Sequence, residues 1–90
     1  MILTVLPRAR VEVEEAMAWY EERRPGLGSE FVSALHETLG QVLLHPRRWP
    51  AIHGDVRSLR MRRFPYRVHY RVLTTTIEVL RCRHLARRPL

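Results

Sequence analysis

The chain has 90 residues and a mass of 10.7 kDa, with 46% hydrophobic and 28% charged residues. This length predicts a single domain over residues 1–90, and this composition excludes a disordered chain. No apolar run approaches the ~20 residues that cross a bilayer, and no signal-peptide pattern opens the chain. We therefore expect a cytoplasmic protein without a membrane partner.

The first half predicts a short strand followed by a helical hairpin. Residues 2–6 are β-prone and end at Pro7, and apolar residues then recur at helical spacing over residues 8–24. Pro25-Gly26 ends this helix, and a second helix begins after Gly28-Ser29 and stops at Pro46. The expected apolar stripe is Ala9, Val13, Ala16, Met17 and Tyr20 on the first helix and Phe31, Leu35, Leu39, Val42 and Leu43 on the second.

The second half changes to the two-residue period of β-strands. Three strands are predicted over residues 56–63, 66–73 and 76–84, with tight connections at Phe64-Pro65 and Thr74-Thr75. Residues 47–54 show no regular period and are expected to form a loop. The sequence therefore predicts an α+β fold with the order β-α-α-β-β-β, in which the helical hairpin packs on one face of a mostly antiparallel sheet.

Strand parity sorts the side chains of this sheet into two faces. With two-residue connections, Met61 is opposite Val68 and Leu59 is opposite Tyr70. The face expected under the helices carries Leu59, Met61, Val68, Tyr70, Val72, Ile77 and Val79. The opposite face carries Arg60, Arg62, Arg67, His69, Arg71, Cys82 and His84. Like charges across strands are destabilising, so this face is either a solvated surface or, as we favour, an electropositive site for an anion.

The distribution of charge also indicates an anionic partner. All sixteen basic residues are arginine. Residues 1–45 hold four Arg against seven Glu, whereas residues 46–90 hold twelve Arg against Asp55 and Glu78. The basic second half is typical of a protein that binds nucleic acid or an acidic protein segment.

No spacing of His, Cys and carboxylates predicts a metal site, and no cofactor motif is found. His84 on the basic face is a candidate general acid or base, with a surface histidine as the alternative. Cys82 is expected to be a small buried strand residue rather than a reactive thiolate. Trp19 is expected in the core, and Trp49 is either a plug over the core edge or an exposed anchor for a partner.

Four sequence blocks occur in an order and spacing typical of one protein family. They are Trp19–Phe31 (WYEERRPGLGSEF), His45-Pro46, Arg63–Val72 (RFPYRVHYRV) and His84–Pro89 (HLARRP). With these blocks the chain resembles toxins of the RelE/ParE superfamily, the toxin halves of bacterial type II toxin–antitoxin pairs, also known as plasmid stabilisation proteins. The resemblance implies a β-α-α-β-β-β fold and a cognate antitoxin as partner.

The superfamily contains two mechanisms, and the residues favour one of them. ParE-type members poison DNA gyrase, whereas RelE-type members are endoribonucleases that cut messenger RNA on the ribosome. The Phe64-Pro65-Tyr66 block and the His-x-x-Arg-Arg-Pro ending are similar to the ParE type, although Arg88 replaces its usual aspartate. No tyrosine follows Tyr70, so the C-terminal tyrosine of some RelE-type nucleases has no counterpart. The resemblance thus implies a gyrase inhibitor.

Strand parity and the resemblance together give the candidate site residues. For a gyrase inhibitor, the target-binding basic face comprises Arg60, Arg62, Arg67, His69, Arg71, Arg87 and Arg88. For the RelE-type alternative, with the ribosome and messenger RNA as partners, Arg60 and Arg67 would hold the phosphate and His84 would move a proton. A third hypothesis is a degenerate member that is retained only to bind an antitoxin.

Overall fold

The structure, a computed structural model, describes residues 1–86. Its elements are β1 (Ile2–Val5), α1 (Pro7–Arg23), α2 (Leu27–Leu44), β2 (Ala51–His53), β3 (Val56–Arg60), β4 (Tyr66–Val72) and β5 (Thr76–His84). The strands form one sheet in the order β1-β5-β4-β3-β2, in which β1 runs parallel to β5 and the other neighbouring pairs are antiparallel. The predicted α+β fold is confirmed, with β2 as an additional strand. Within residues 1–86, neither helix is long and apolar enough to cross a membrane.

The hairpin of α1 and α2 depends on a turn that glycine makes possible. Gly26 adopts a left-handed conformation with φ of 89°, which costs glycine little. The Glu21 carboxylate accepts hydrogen bonds from the backbone N–H groups of Gly26, at 2.9 and 3.1 Å, and Gly28, at 3.0 Å. It therefore caps the start of α2 from the end of α1. At Gly28 a Cβ atom would lie 2.8 Å from the Met17 carbonyl oxygen, so the helices approach this closely only with glycine there.

The core lies between the hairpin and one face of the sheet. Four aromatic rings form its centre: Tyr20 stacks on Phe31, and both pack edge-on against Phe64 and Tyr66. Of the residues predicted under the helices, six are buried and Val72 is partly buried against the same core; the six are Leu59, Met61, Val68, Tyr70, Ile77 and Val79.

One residue of each predicted helix stripe, and also Trp19, are more exposed than expected. Met17, Trp19 and Leu43 have exposed fractions of 38%, 38% and 43%. The Arg23 guanidinium lies 3.8 Å from the centre of the Trp19 ring, so an arginine rather than the core covers this ring. Trp49 is partly buried and packs against the core, which agrees with the prediction that it covers the edge of the core rather than with that of an exposed anchor.

The pairing of β3 with β4 differs from the prediction by two residues. Leu59 is opposite Val68 and Arg60 is opposite Arg67, because the connection spans residues 61–65 rather than Phe64-Pro65 alone. Met61 lies at the start of this loop and donates its N–H to the Tyr66 carbonyl at 2.9 Å. A shift of two residues preserves parity, so the residues of β3 stay on their predicted faces.

A β-bulge in β5 reverses the predicted faces of the last residues of the strand. Tyr70 pairs with Val79 as predicted, but His69 pairs with Arg81, which leaves Leu80 as the extra residue. Beyond the bulge, Cys82 is opposite Val68 and His84 is opposite Tyr66 on the face that packs on the helices. The prediction that Cys82 and His84 lie on the basic face was therefore wrong.

Candidate functional site

The sheet face turned away from the helices carries a dense group of cations, which we call the arginine face. It comprises Arg60, Arg67, His69, Arg71, Arg81 and Arg83. The strand pairing places Arg60, Arg67 and Arg83 side by side in one row across β3, β4 and β5. Since neighbouring strands are about 4.8 Å apart, the Cα atoms of these three arginines lie within a span of ~10 Å.

Acidic side chains compensate only part of this charge. Arg71 donates to the Glu78 carboxylate at 2.8 Å, and Arg81 donates to Glu12 of α1 at 2.7 Å. Among the residues that the structure describes, no ion pair involves the three members of the row. The Nε atom of Arg67 instead donates to the Ser58 hydroxyl at 2.8 Å, which fixes this side chain across the neighbouring strand. The row therefore keeps a net positive charge that a bound anion can neutralise.

His69 lies half-buried in the middle of the arginine face. Burial lowers the pKa of His69, and the charges of Arg83, Arg67 and Arg81 lower it further, against a smaller opposite effect of Glu12. The imidazole is accordingly neutral at pH 7 and can both donate and accept a hydrogen bond. The face thus combines fixed charge on its arginines with a neutral polar group at its centre.

Glu12 anchors the edge of this face. β1 pairs with β5 only from Thr76 to Val79. Beyond that point the Glu12 carboxylate accepts the backbone N–H of Cys82 at 2.9 Å and two guanidinium nitrogens of Arg81 at 2.7 to 3.1 Å. Burial raises the pKa of Glu12, but the hydrogen bonds from Arg81 and Cys82, with the charges of Arg81 and Arg8, outweigh it and hold the pKa below the ordinary value.

The predicted site residues are divided between several locations. Arg60, Arg67, His69 and Arg71 lie on the arginine face as expected, whereas Arg62 is exposed in the loop between β3 and β4. His84 lies on the opposite face, where its ring packs edge-on against Tyr66 at 5.0 Å. Its Nδ1 accepts the Ala86 N–H at 3.0 Å. Arg87 and Arg88 lie outside the described residues.

Sequence reasoning missed two members of the arginine face, Arg81 and Arg83. Strict alternation from Val79 assigns both to the helix side, and only the bulge at Leu80 moves them outward. The sequence Arg81-Cys82-Arg83 could have indicated their outward orientation. Two arginines on either side of one small apolar residue fit a strand in which the cysteine points toward the core.

The arrangement suits binding of anionic groups rather than nucleophilic chemistry. Burial raises the pKa of the Cys82 thiol to about 12, so it is protonated at neutral pH. Within residues 1–86, no three His, Cys, Asp or Glu side chains are grouped to hold a metal ion.

Comparison with known proteins gives a family and several similar solved structures. Residues 3–89 match the sequence model of a family described as ParE toxin of type II toxin–antitoxin system, parDE. No curated protein matches the chain in sequence. The fold is similar to a solved structure of the chromosomal ParDE TA system from P. aeruginosa, with a TM-score of 0.84 and 20% sequence identity over 94% of this chain and 96% of that chain. At this identity, the structural likeness shows a shared fold.

Proposed function

Since the chain belongs to the ParE toxin family of type II toxin–antitoxin systems, we propose that it inhibits DNA gyrase in the bacterial cytoplasm until a cognate antitoxin binds it. The family match over residues 3–89 is the observation that carries this proposal. The comparisons give no support to the RelE-type alternative.

The arginine face is the proposed contact surface for gyrase. Its central row has three guanidinium groups without a carboxylate partner in the described part of the chain. Arginine is enriched at protein interfaces because its planar group forms paired hydrogen bonds with carboxylates. Our proposed target-binding residues are Arg60, Arg62, Arg67, His69, Arg71 and Arg83, and Arg87 and Arg88 remain predictions.

The positions of the nuclease candidates favour binding over catalysis. An endoribonuclease of the RelE type needs Arg60, Arg67 and a proton-transfer group around one phosphate. The strand pairing places Arg60 and Arg67 on one face and His84 on the other. General acid–base catalysis requires the proton carrier within hydrogen-bond reach of the reacting group. We therefore expect graded losses of toxicity from Arg67→Ala and His84→Ala, rather than abolition by either.

A supercoiling assay with purified gyrase tests the proposal. The wild-type toxin should inhibit supercoiling, and antitoxin should relieve the inhibition. The Arg60→Ala/Arg83→Ala variant should need about 5- to 30-fold more toxin, the range expected for two contacts of ~0.5–1 kcal/mol each. The control is Arg8→Ala/Arg10→Ala on α1, which removes the same charge from another surface and should retain wild-type potency. Unaffected gyrase together with cleavage of ribosome-bound messenger RNA would establish the nuclease alternative.

A further inference from the structure

The arginine face offers a partner charge and hydrogen bonds but no apolar anchor. Tyr66, Val68 and Tyr70 of β4 are buried on the helix side of the sheet. The outward side chains at the paired positions of β3, β4 and β5 are all polar or charged: Ser58, Arg60, Arg67, His69, Arg71, Glu78, Arg81 and Arg83. Protein interfaces usually have an apolar centre rich in aromatic residues, whereas interfaces with DNA are more polar and much more positively charged. This composition therefore favours a nucleic acid.

The negative charge of this face lies away from its row of three arginines. Glu78 is opposite Arg71, four residues along β4 from Arg67, which is about 13 Å at the usual rise of a strand. The Glu12 carboxylate is engaged by Arg81 at the edge of the face. The end of the face that carries the row is therefore a cluster of positive charge.

The spacing of the row suits a phosphate backbone. The Cα atoms of Arg60, Arg67 and Arg83 lie within ~10 Å. Along the axis of duplex DNA, successive phosphates of one strand are about 3.4 Å apart, so a row of this length meets about three of them. The Nε atom of Arg67 donates to the Ser58 hydroxyl, and no described residue accepts a hydrogen bond from its two terminal nitrogens. These nitrogens can donate together to two oxygens of one phosphate.

The shape and composition of the face favour the backbone of a duplex over a single strand. Proteins that bind single strands stack the bases on aromatic side chains. At the outward positions of the described strands, the one ring is the half-buried imidazole of His69. Three strands side by side are too wide for the major groove, which admits a helix or a two-stranded ribbon. The face can therefore contact phosphates, and phosphate contacts carry no sequence information.

We propose that the arginine face binds the phosphate backbone of duplex DNA without sequence preference. That this DNA is the segment held by gyrase rests on the proposed function. Gyrase acts on DNA, so a toxin that contacts both the enzyme and its bound DNA gains affinity from the second contact without a new binding event. The target of the arginine face is then the complex of gyrase and DNA, with the DNA at the row.

Fluorescence anisotropy with a short labelled DNA duplex and the full-length toxin tests the DNA contact in the absence of gyrase. For the wild type, a plot of the logarithm of the association constant against the logarithm of the salt concentration should have a slope of about −2.7, the value for three phosphates. Arg60→Ala/Arg83→Ala should raise Kd at least ~10-fold and reduce the slope to about −0.9. The control, Arg8→Ala/Arg10→Ala, removes the same charge from α1 and should keep the wild-type slope. Both variants should keep the wild-type thermal midpoint.

Three results would overturn the proposal. The first is a wild type that does not bind the duplex. The second is an equal slope for Arg60→Ala/Arg83→Ala and its control, which would indicate diffuse attraction by the net charge. The third is tighter binding of a single strand of the same sequence, which would exclude the duplex as the preferred ligand.

The supercoiling assay with the same variants separates this proposal from the proposed function. If Arg60→Ala/Arg83→Ala binds the duplex as the wild type does but no longer inhibits gyrase, the row contacts the enzyme itself. The DNA proposal is then wrong and the proposed function stands. If the wild type binds the duplex with the expected slope but leaves gyrase active, the proposed function is wrong and the DNA-binding surface stands.

Discussion

Replacing Glu12 should destabilise the sheet at the edge that β1 leaves uncovered. Both partners of the Glu12–Arg81 ion pair are mostly buried, with side-chain exposed fractions of 21% and 22%. Glu12→Ala removes the acceptor for both Arg81 and the Cys82 N–H, and leaves a partly buried guanidinium without its counter-charge. We expect a loss of about 2–4 kcal/mol in the free energy of unfolding, since charged hydrogen bonds contribute ~1.5–3 kcal/mol and an unpaired charge adds to this. Glu12→Gln keeps one acceptor oxygen and should lose only about 1–2 kcal/mol.

The pH dependence of this loss gives a second measurement. The pKa of Glu12 is lowered in the folded protein from an ordinary value of 4.5. A carboxylate of this kind stabilises the fold fully above its unfolded pKa and loses that contribution as pH falls through the lower folded pKa. The stability gap between wild type and Glu12→Gln should therefore be constant at neutral pH and shrink as the pH falls below 4.5.

Urea denaturation of wild type, both Glu12 variants and Glu14→Ala, across pH 7 to pH 3, measures these effects. Glu14 is an exposed residue of the same helix, and its replacement should change stability by no more than ~0.5 kcal/mol. Equal midpoints for Glu12→Ala and Glu14→Ala would refute the role given to the Glu12 carboxylate. A gap between wild type and Glu12→Gln that persists unchanged at pH 3 would refute its charge as the cause.

Three further predictions concern the packing of the helices, the core and the arginine face. Gly28→Ala should lose about 1–3 kcal/mol by thermal denaturation because its Cβ meets backbone, whereas Gly40→Ala, with open space around it in the same helix, should gain ~0.5–1 kcal/mol. Tyr70→Phe should lose about 1–2 kcal/mol in urea because it leaves the Pro46 carbonyl without its donor, and a loss near zero would mean that water replaces the hydroxyl. In an NMR titration, His69 should protonate below the ordinary histidine pKa of 6.5, and titration at or above that value would contradict its burial among arginines.

Both helices, and the sides of the helices and of the sheet that face the core, could be predicted from sequence because their apolar residues recur at a regular spacing. The stripe centred on Phe31 and Leu35 and the alternation through Val68 and Tyr70 both repeat over several turns or residues, and all four side chains are buried. β2 could not be predicted in this way. It has three residues, all exposed, so no contrast between an apolar and a polar face marks it.

The composition of the site was harder to predict than the fold, because it depends on two local irregularities. The loop after β3 includes Arg63 at a φ of 71°, an uncommon conformation for a residue with a side chain, and it changes the pairing of Arg60. Because of the bulge at Leu80, Arg83 lies on the outer face of the sheet and His84 lies on the face under the helices. Pro65 marked the position of the loop but not its length, and the bulge at Leu80 has no glycine or proline beside it, so alternation alone gave the wrong partners.

The bulge at Leu80 also makes the end of β5 sensitive to the deletion of a single residue. Removal of the Leu80 codon would leave every downstream residue type intact and preserve the reading frame. The strand would then pair without a bulge, and Arg81 and Arg83 would turn toward the helices while Cys82 and His84 turned outward. Burying two guanidinium groups in the space of a thiol and an imidazole is strongly unfavourable. A substitution in this strand therefore changes one side chain, whereas a single-codon deletion inverts the whole end of the strand.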